Sequence, residues 1–302
     1  MNDRSVRIEE LLQRLERVQE TLDSSALSEQ ERETLLKPFR CAIIELLSAA
    51  YGESDRTVRR SAIYGLSKLG AEQSVGILLR ALNDLDEQVR GWAAEGLGRV
   101  PESAAIPALI GALGDENHYV SFSVANALRR FGVERILQPL TAALDAPHIG
   151  VRRRACKLLG ELGDRSATDA LRRALKDADA DVRYEAAEAL RKLGDGKAVP
   201  ELIEALQDQS RDVRSAAVTA LGVFRDGRAV GPLIKILAEQ RDLRYSALAS
   251  LRSICGDRCL EPILELLRQQ KKNIQEATSA VIGMMGEEGA AAGQAAATGA
   301  TT

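Results

Sequence analysis

The chain has 302 residues, 45% of them hydrophobic but only 3% aromatic, and a net charge of −3. That balance gives no bulk attraction to nucleic acid. No apolar run reaches the ~18 residues of a membrane span, and Met1-Asn2-Asp3-Arg4 leads into no signal core. The four cysteines have no framework spacing, so a reducing, cytoplasmic setting is expected.

Residues 5–22 place Val6, Leu11, Leu15, Val18 and Leu22 at helical spacing, and Ser24-Ser25 end that helix. Ser28 and Glu31 form a capping-box signal for a second helix, which carries Leu35, Leu36, Phe39, Ile43, Ile44 and Leu47 and stops at Gly52. Residues 1–52 are read as an N-terminal helical cap that seals the first of a series of repeats, with a coiled-coil partner site on residues 5–22 as the alternative.

The repeat begins just beyond Gly52. Val58, Val89, Val120, Val151, Val182 and Val213 are each 31 positions apart (89 less 58, for example); Leu243 follows after 30 and Ile274 after another 31. In the unit Asp181-Val-Arg-Tyr-Glu-Ala-Ala-Glu-Ala-Leu-Arg-Lys-Leu-Gly194, Val182, Ala186, Leu190 and Leu193 share one helical face. Asp179 or Asp181 can cap its start, and Gly194 can end it in the left-handed conformation. The second half, Val199-Pro-Glu-Leu-Ile-Glu-Ala-Leu206, repeats its closing leucine from Leu82 to Leu267. Pro200 suits a first helical turn, as do its counterparts Pro107, Pro139, Pro232 and Pro262. Each unit reads as helix, turn, helix, loop, and one pair cannot bury its apolar faces alone, so neighbours stack. Pro101 and Arg225 replace the loop glycine, and those two loops are expected to bend differently. The repeats fill 53–286; residues 287–302 form a low-complexity tail expected to be disordered.

The motifs Asp-Val-Arg-x-x-Ala-Ala-x-Ala-Leu-x-x-Leu-Gly and Ala-Val-Pro-x-Leu-Ile-x-Ala-Leu resemble HEAT-like repeats of the phycobilin-lyase (E/F-type) class over most of residues 55–286. The resemblance implies an all-α, right-handed α-solenoid of about eight helix pairs. It also implies either a scaffold or assembly factor, or a bilin lyase or chaperone subunit acting on phycobiliproteins. E/F lyases carry aromatic runs that this chain lacks. A relative in the repeat class, deoxyhypusine hydroxylase, binds iron through His-Glu pairs; here Tyr119 follows His118 and Ile149 follows His148.

No phosphate loop, His-Glu-x-x-His or CxxC pair occurs. Cys255 and Cys259 are read as packing residues, with two thiolates of a metal or iron–sulfur site as the functional alternative. Arg59, Arg90, Arg152, Arg183, Arg214 and Arg244 fill one repeated position, and Ser121 breaks the column. Asp181, Asp212 and Asp242 sit beside it and Asp84, Asp115, Asp177 and Asp208 lie in turns, so an internal ladder of guanidinium, carboxylate and loop carbonyl is expected. Positions two, six and nine after the repeat valine point away from the core. They include Arg60, Tyr64, Glu95, Gly98, Glu188, Arg191 and Tyr245. The expected partner-binding set is Trp92, His118, Tyr119, Phe122, Asn126, Arg129, Arg153, Lys157 and Tyr184, because outward rings flanked by Arg and Lys have the composition of a binding hot spot. The partner is expected to be a protein on the concave face, such as a phycobiliprotein or a second HEAT-like subunit. No cofactor is expected, except a bilin under the lyase reading, and no catalytic residue is assigned.

Overall fold

The computed structural model describes residues 3–23, 28–100 and 102–256, all helices and turns with no strand among them. The chain divides into two compact units, one ending at Ala155 and the other beginning at Cys156, and each is described by itself. The expected tail at 287–302 and the repeat part beyond Gly256, including Cys259, Pro262, Leu267 and Ile274, lie outside the described residues, as does Pro101.

In the first unit, α1 (Asp3–Asp23) and α2 (Glu29–Tyr51) pack on α3 (Arg56–Leu69). The Ser28–Glu31 capping box is present in full. Among the described side chains of α1, Ile8 is buried, Leu11 is half-buried, and Val6 and Val18 are exposed. Pro38 lies inside α2 without ending it. Long and short helices then alternate: α4 (Val75–Ala81), α5 (Glu87–Leu97), α6 (Ile106–Ala112), α7 (His118–Arg130) and α8 (Val133–Ala142). The boundary between the units falls inside α9 (Ile149–Leu162). In the second unit come α10 (Thr168–Ala174), α11 (Ala180–Leu193), α12 (Val199–Ala205), α13 (Arg211–Phe224), α14 (Val230–Glu239) and α15 (Arg244–Cys255).

The repeat valines begin the long helices, and their apolar stripes are the core. Val182, Ala186, Leu190, Val213, Ala217 and Leu221 are all fully buried. Burying each Val or Leu contributes roughly 1.5–3 kcal/mol. Within the units α3 packs on α5, α5 on α7, α11 on α13 and α13 on α15, so the long helices stack side by side. Asp55, Asp86, Asn117 and Asp179 cap four of these helices, each accepting two backbone N–H groups. For α11 the cap is Asp179 rather than Asp181.

The connections depart from expectation in two ways. Arg225 adopts φ 53°, ψ 35°, the conformation of Gly70 and Gly194, so the α13 loop turns as its neighbours do despite the missing glycine. A 3-10 turn that the periodicity did not reveal precedes α4, α6, α10, α12 and α14. Pro107 and Pro200 occupy the first helical turn after it, whereas Pro139 lies well inside α8, which begins directly at Val133 without such a turn.

Candidate binding face of the long helices

The arginine column is committed to the fold. Arg90 donates through Nε and Nη2 to Asp115 at 2.6 and 3.0 Å, and through Nη1 to the Asp84 and Leu85 carbonyls. Arg183 does the same with Asp208 at 2.7 and 2.8 Å and with the Asp177 and Ala178 carbonyls. Arg59 takes Asp84, and Arg214 donates to Gln240 at 2.9 Å with the Asp242 carboxylate 3.8 Å away. The expected ladder is therefore present, built with the turn acids Asp84, Asp115 and Asp208, while Asp181 and Asp212 stand exposed. These turn acids also accept an N–H two residues on, which fixes the turn itself. Burial raises the Asp115 carboxyl pKa, but the Arg90 guanidinium, the Asn117 N–H and the Arg154 charge together more than offset it, so the acid ends below its ordinary value. Where Ser121 replaces the arginine, the acid 25 positions later is also gone, replaced by Ala146 (115 less 90 and 146 less 121 are both 25). The buried Ser121 turns its hydroxyl to the His118 carbonyl instead, at 3.1 Å. Losing both partners leaves no buried unpaired charge, which explains how this repeat tolerates the change.

With the column spoken for, the outward face carries the rings. In the first unit Tyr64 and Trp92 meet edge to face at 5.2 Å between centroids, and the Lys68 ammonium sits 5.3 Å from the Tyr64 ring. Tyr119 is half-buried over Gly91, where a Cβ would lie 2.1 Å from its ring, so only glycine fits. Its hydroxyl donates to Glu95 at 3.1 Å, and Ser123 donates to the same oxygen at 3.4 Å. Burial and the Glu95 carboxylate push the Tyr119 phenol up to about 12, so it stays protonated as a donor. Phe122 is 58% exposed.

The nine expected site residues thus have different surroundings. Trp92 is half-buried against Tyr64, and Tyr119 is held by Glu95. His118 is exposed at the start of α7. Asn126 accepts from Arg129 at 2.8 Å on the next turn. Arg153 is half-exposed, while its neighbours turn aside: Arg152 bonds the Ala146 and Pro147 carbonyls, and burial followed by Arg153 lowers the Arg154 pKa beside Asp115. Lys157 and Tyr184 are exposed and belong to the second unit. The Lys68–Tyr64–Trp92 group was only partly readable, since contact across two repeats needs the helix stacking. Among the described residues, no group of three or more His, Cys, Asp and Glu is placed to hold a metal ion. Cys255 is disulfide-bonded, so it offers no thiolate; Cys259 lies outside the described residues. No described helix is long and apolar enough to cross a membrane.

The comparisons agree with this architecture. A family described as HEAT repeats matches residues 77–149 and 137–222, and one described as PBS lyase HEAT-like repeat matches 58–84, 213–239 and 243–269. Among solved structures, importin beta is similar at 15% identity over 80% of this chain and 39% of that one, with a TM-score of 0.50. Kap95p, from a study of its binding to RanGDP, is similar at 14% identity over 89% of this chain and 42% of that one, also with a TM-score of 0.50. The complex of CpcE and CpcF of phycocyanin lyase from Nostoc sp. matches at 22% identity over 80% of this chain and 93% of that one, with a TM-score of 0.35. No curated protein matches the chain in sequence. With stacked long helices and a periodic core, the described residues form an α-solenoid of HEAT-like repeats, and the chain is similar to the HEAT repeat family over 77–222 and to the PBS lyase HEAT-like repeat over 58–84, 213–239 and 243–269.

Proposed function

We propose that the protein is a non-catalytic scaffold or assembly factor that holds an acidic protein on the outward face of its long helices. The observation that carries this reading is the placement of rings among cations on that face. Phe122 stands exposed on α7, the helix that also carries Arg129 and Arg130 two turns on, and Lys68 sits over Tyr64, which meets Trp92 edge to face. The column arginines face loop carbonyls and carboxylates, so they do not compete for the partner. Rings supply flat area at low entropic cost and guanidinium groups supply direction, the composition of interface hot spots. The test is affinity enrichment from the source cell, followed by titration of the enriched partner. Partner binding should weaken at least tenfold on Phe122→Ala with Tyr184→Ala, and likewise on Arg153→Glu alone, with folding unchanged.

A second reading is a bilin lyase or chaperone subunit of the E/F type, with a bilin as ligand and a phycobiliprotein or second HEAT-like subunit as partner. The PBS lyase HEAT-like units at 58–84, 213–239 and 243–269 favour it. Co-expression with a phycobiliprotein subunit and a bilin distinguishes the two, since only the lyase gives a covalently coloured product.

A further inference from the structure

Two positions along the long helices alternate in step. The position two after the repeat valine reads Gly91, Phe122, Arg153, Tyr184, Ser215 and, after Leu243, Tyr245. The position nine after it reads Gly98, Arg129, Gly160, Arg191, Gly222 and Arg252. Every second long helix, α7, α11 and α15, therefore bears a ring at one place and an arginine two turns on. The helices between them bear glycine at the second place. Position six, from Glu95 to Ala249, shows no such alternation. The true period of this stripe is two repeats.

The glycines explain how the doubling is built. A Cβ on Gly160 would lie 2.6 Å from the Cα of Ala189, and one on Gly222 would lie 2.9 Å from the Cα of Ser250. Each ring-bearing helix of the second unit thus seats backbone to backbone on its predecessor, α11 on α9 and α15 on α13. Tyr184 is 38% exposed and Tyr245 70%. Arg191 is aimed by Glu188, with Nη2 to Oε2 at 2.7 Å, and Arg252 is exposed. Between them the corresponding positions of α13 are Ser215, Thr219 and the buried Gly222, all small and uncharged.

The charges give the strip a direction. Glu188, Glu185 and Asp212 act on the Tyr184 end, whereas Arg191, which Glu188 pairs, stands with Lys192 and Arg252 at the other, cationic row. The rows are seven residues apart, about 10 Å along the helix axis. Two helix-packing steps set the stations roughly 16–20 Å apart. An extended chain covers that in about five or six residues at ~3.3 Å each, and sends alternate side chains to opposite sides.

We propose that the second unit binds an extended acidic polypeptide segment across α11, α13 and α15, its apolar side chains on Tyr184 and Tyr245 and its carboxylates on Arg191 and Arg252. This rests on the reading of the long-helix face as a receptor for an acidic protein and adds the register. The probe is a fluorescein-labelled ten-residue peptide of alternating Glu and Tyr, titrated into the full chain by anisotropy, with circular dichroism melting to verify folding. Tyr184→Ser should weaken binding at least fivefold, and Arg191→Glu with Arg252→Glu at least tenfold. Moving the ring one repeat, Tyr184→Ser with Ser215→Tyr, should bind no better than Tyr184→Ser alone. If the moved ring restores wild-type affinity, ring number matters and the two-repeat register is wrong. If the arginine substitutions weaken binding but neither ring variant does, the register fails while the acidic-partner reading stands. If the wild type does not bind the peptide, or no substitution matters, both fail.

Discussion

At Arg225 a bulky L-residue holds a left-handed backbone that its counterparts Gly70 and Gly194 reach without cost. Such a residue stores roughly 1 kcal/mol of strain. Arg225→Gly should therefore raise stability by about 0.5–1 kcal/mol, read as a higher urea midpoint at unchanged slope; a lower midpoint would mean that the arginine side chain contributes more than the strain costs. Asp86 shows the opposite economy of charge. Burial alone would raise its carboxyl, yet hydrogen bonds from Arg60 and Arg56 and from the Val89 N–H bring it down to about 2. Because the folded-state value lies below the ordinary 3.8, the stabilisation is complete above about pH 4 and is lost as pH falls towards 2. The full effect is about 2 kcal/mol. Asp86→Asn keeps the cap but loses the charge, so its stability deficit should shrink between pH 5 and pH 2. A deficit constant across that window would contradict the assignment.

At the scale of the element, the arginine ladder ties α3, α5 and α11 to the turn that starts the next long helix. Arg183 and Asp208 are both mostly buried, with side chains 15% and 12% exposed. A lysine keeps the charge but cannot span the carboxylate and two carbonyls together. Arg183→Lys should cost about 1–3 kcal/mol in denaturant unfolding, and an unchanged midpoint would show that the fork geometry is dispensable. Core truncation sets the comparison: Leu190→Ala or Leu221→Ala, each fully buried, should cost about 2–5 kcal/mol. Helix identity and these core positions were legible because the 31-residue period and the 3.6-residue period reinforce each other. The 3-10 turns were not, since Asp195 or Asp226 holding an N–H two residues on is a local bond that leaves no periodic trace. The ladder's acids were half legible: the sequence offered two sets of aspartates, and only packing showed which set the guanidinium groups reach.

At the scale of the molecule, the chain uses one repeated unit twice over. Core positions repeat every 31 residues because every unit must stack on the next, whereas position nine repeats every second unit, as Arg129, Arg191 and Arg252 alternate with the packed glycines Gly98, Gly160 and Gly222. A single-repeat reading finds Phe122 and Tyr184 as candidates but not the doubling, because close packing at Gly160 and Gly222 appears only when helices are brought together. It also misses Gly91, whose role is to leave room for Tyr119. The central claim is that the exposed face binds while the buried stripes fold. The most direct measurement is partner titration beside thermal melting for Phe122→Ala with Tyr184→Ala. Kd should rise at least tenfold, about 1.4 kcal/mol, with Tm nearly unchanged. Normal binding by the folded double variant, or loss of folding in it, would contradict the account.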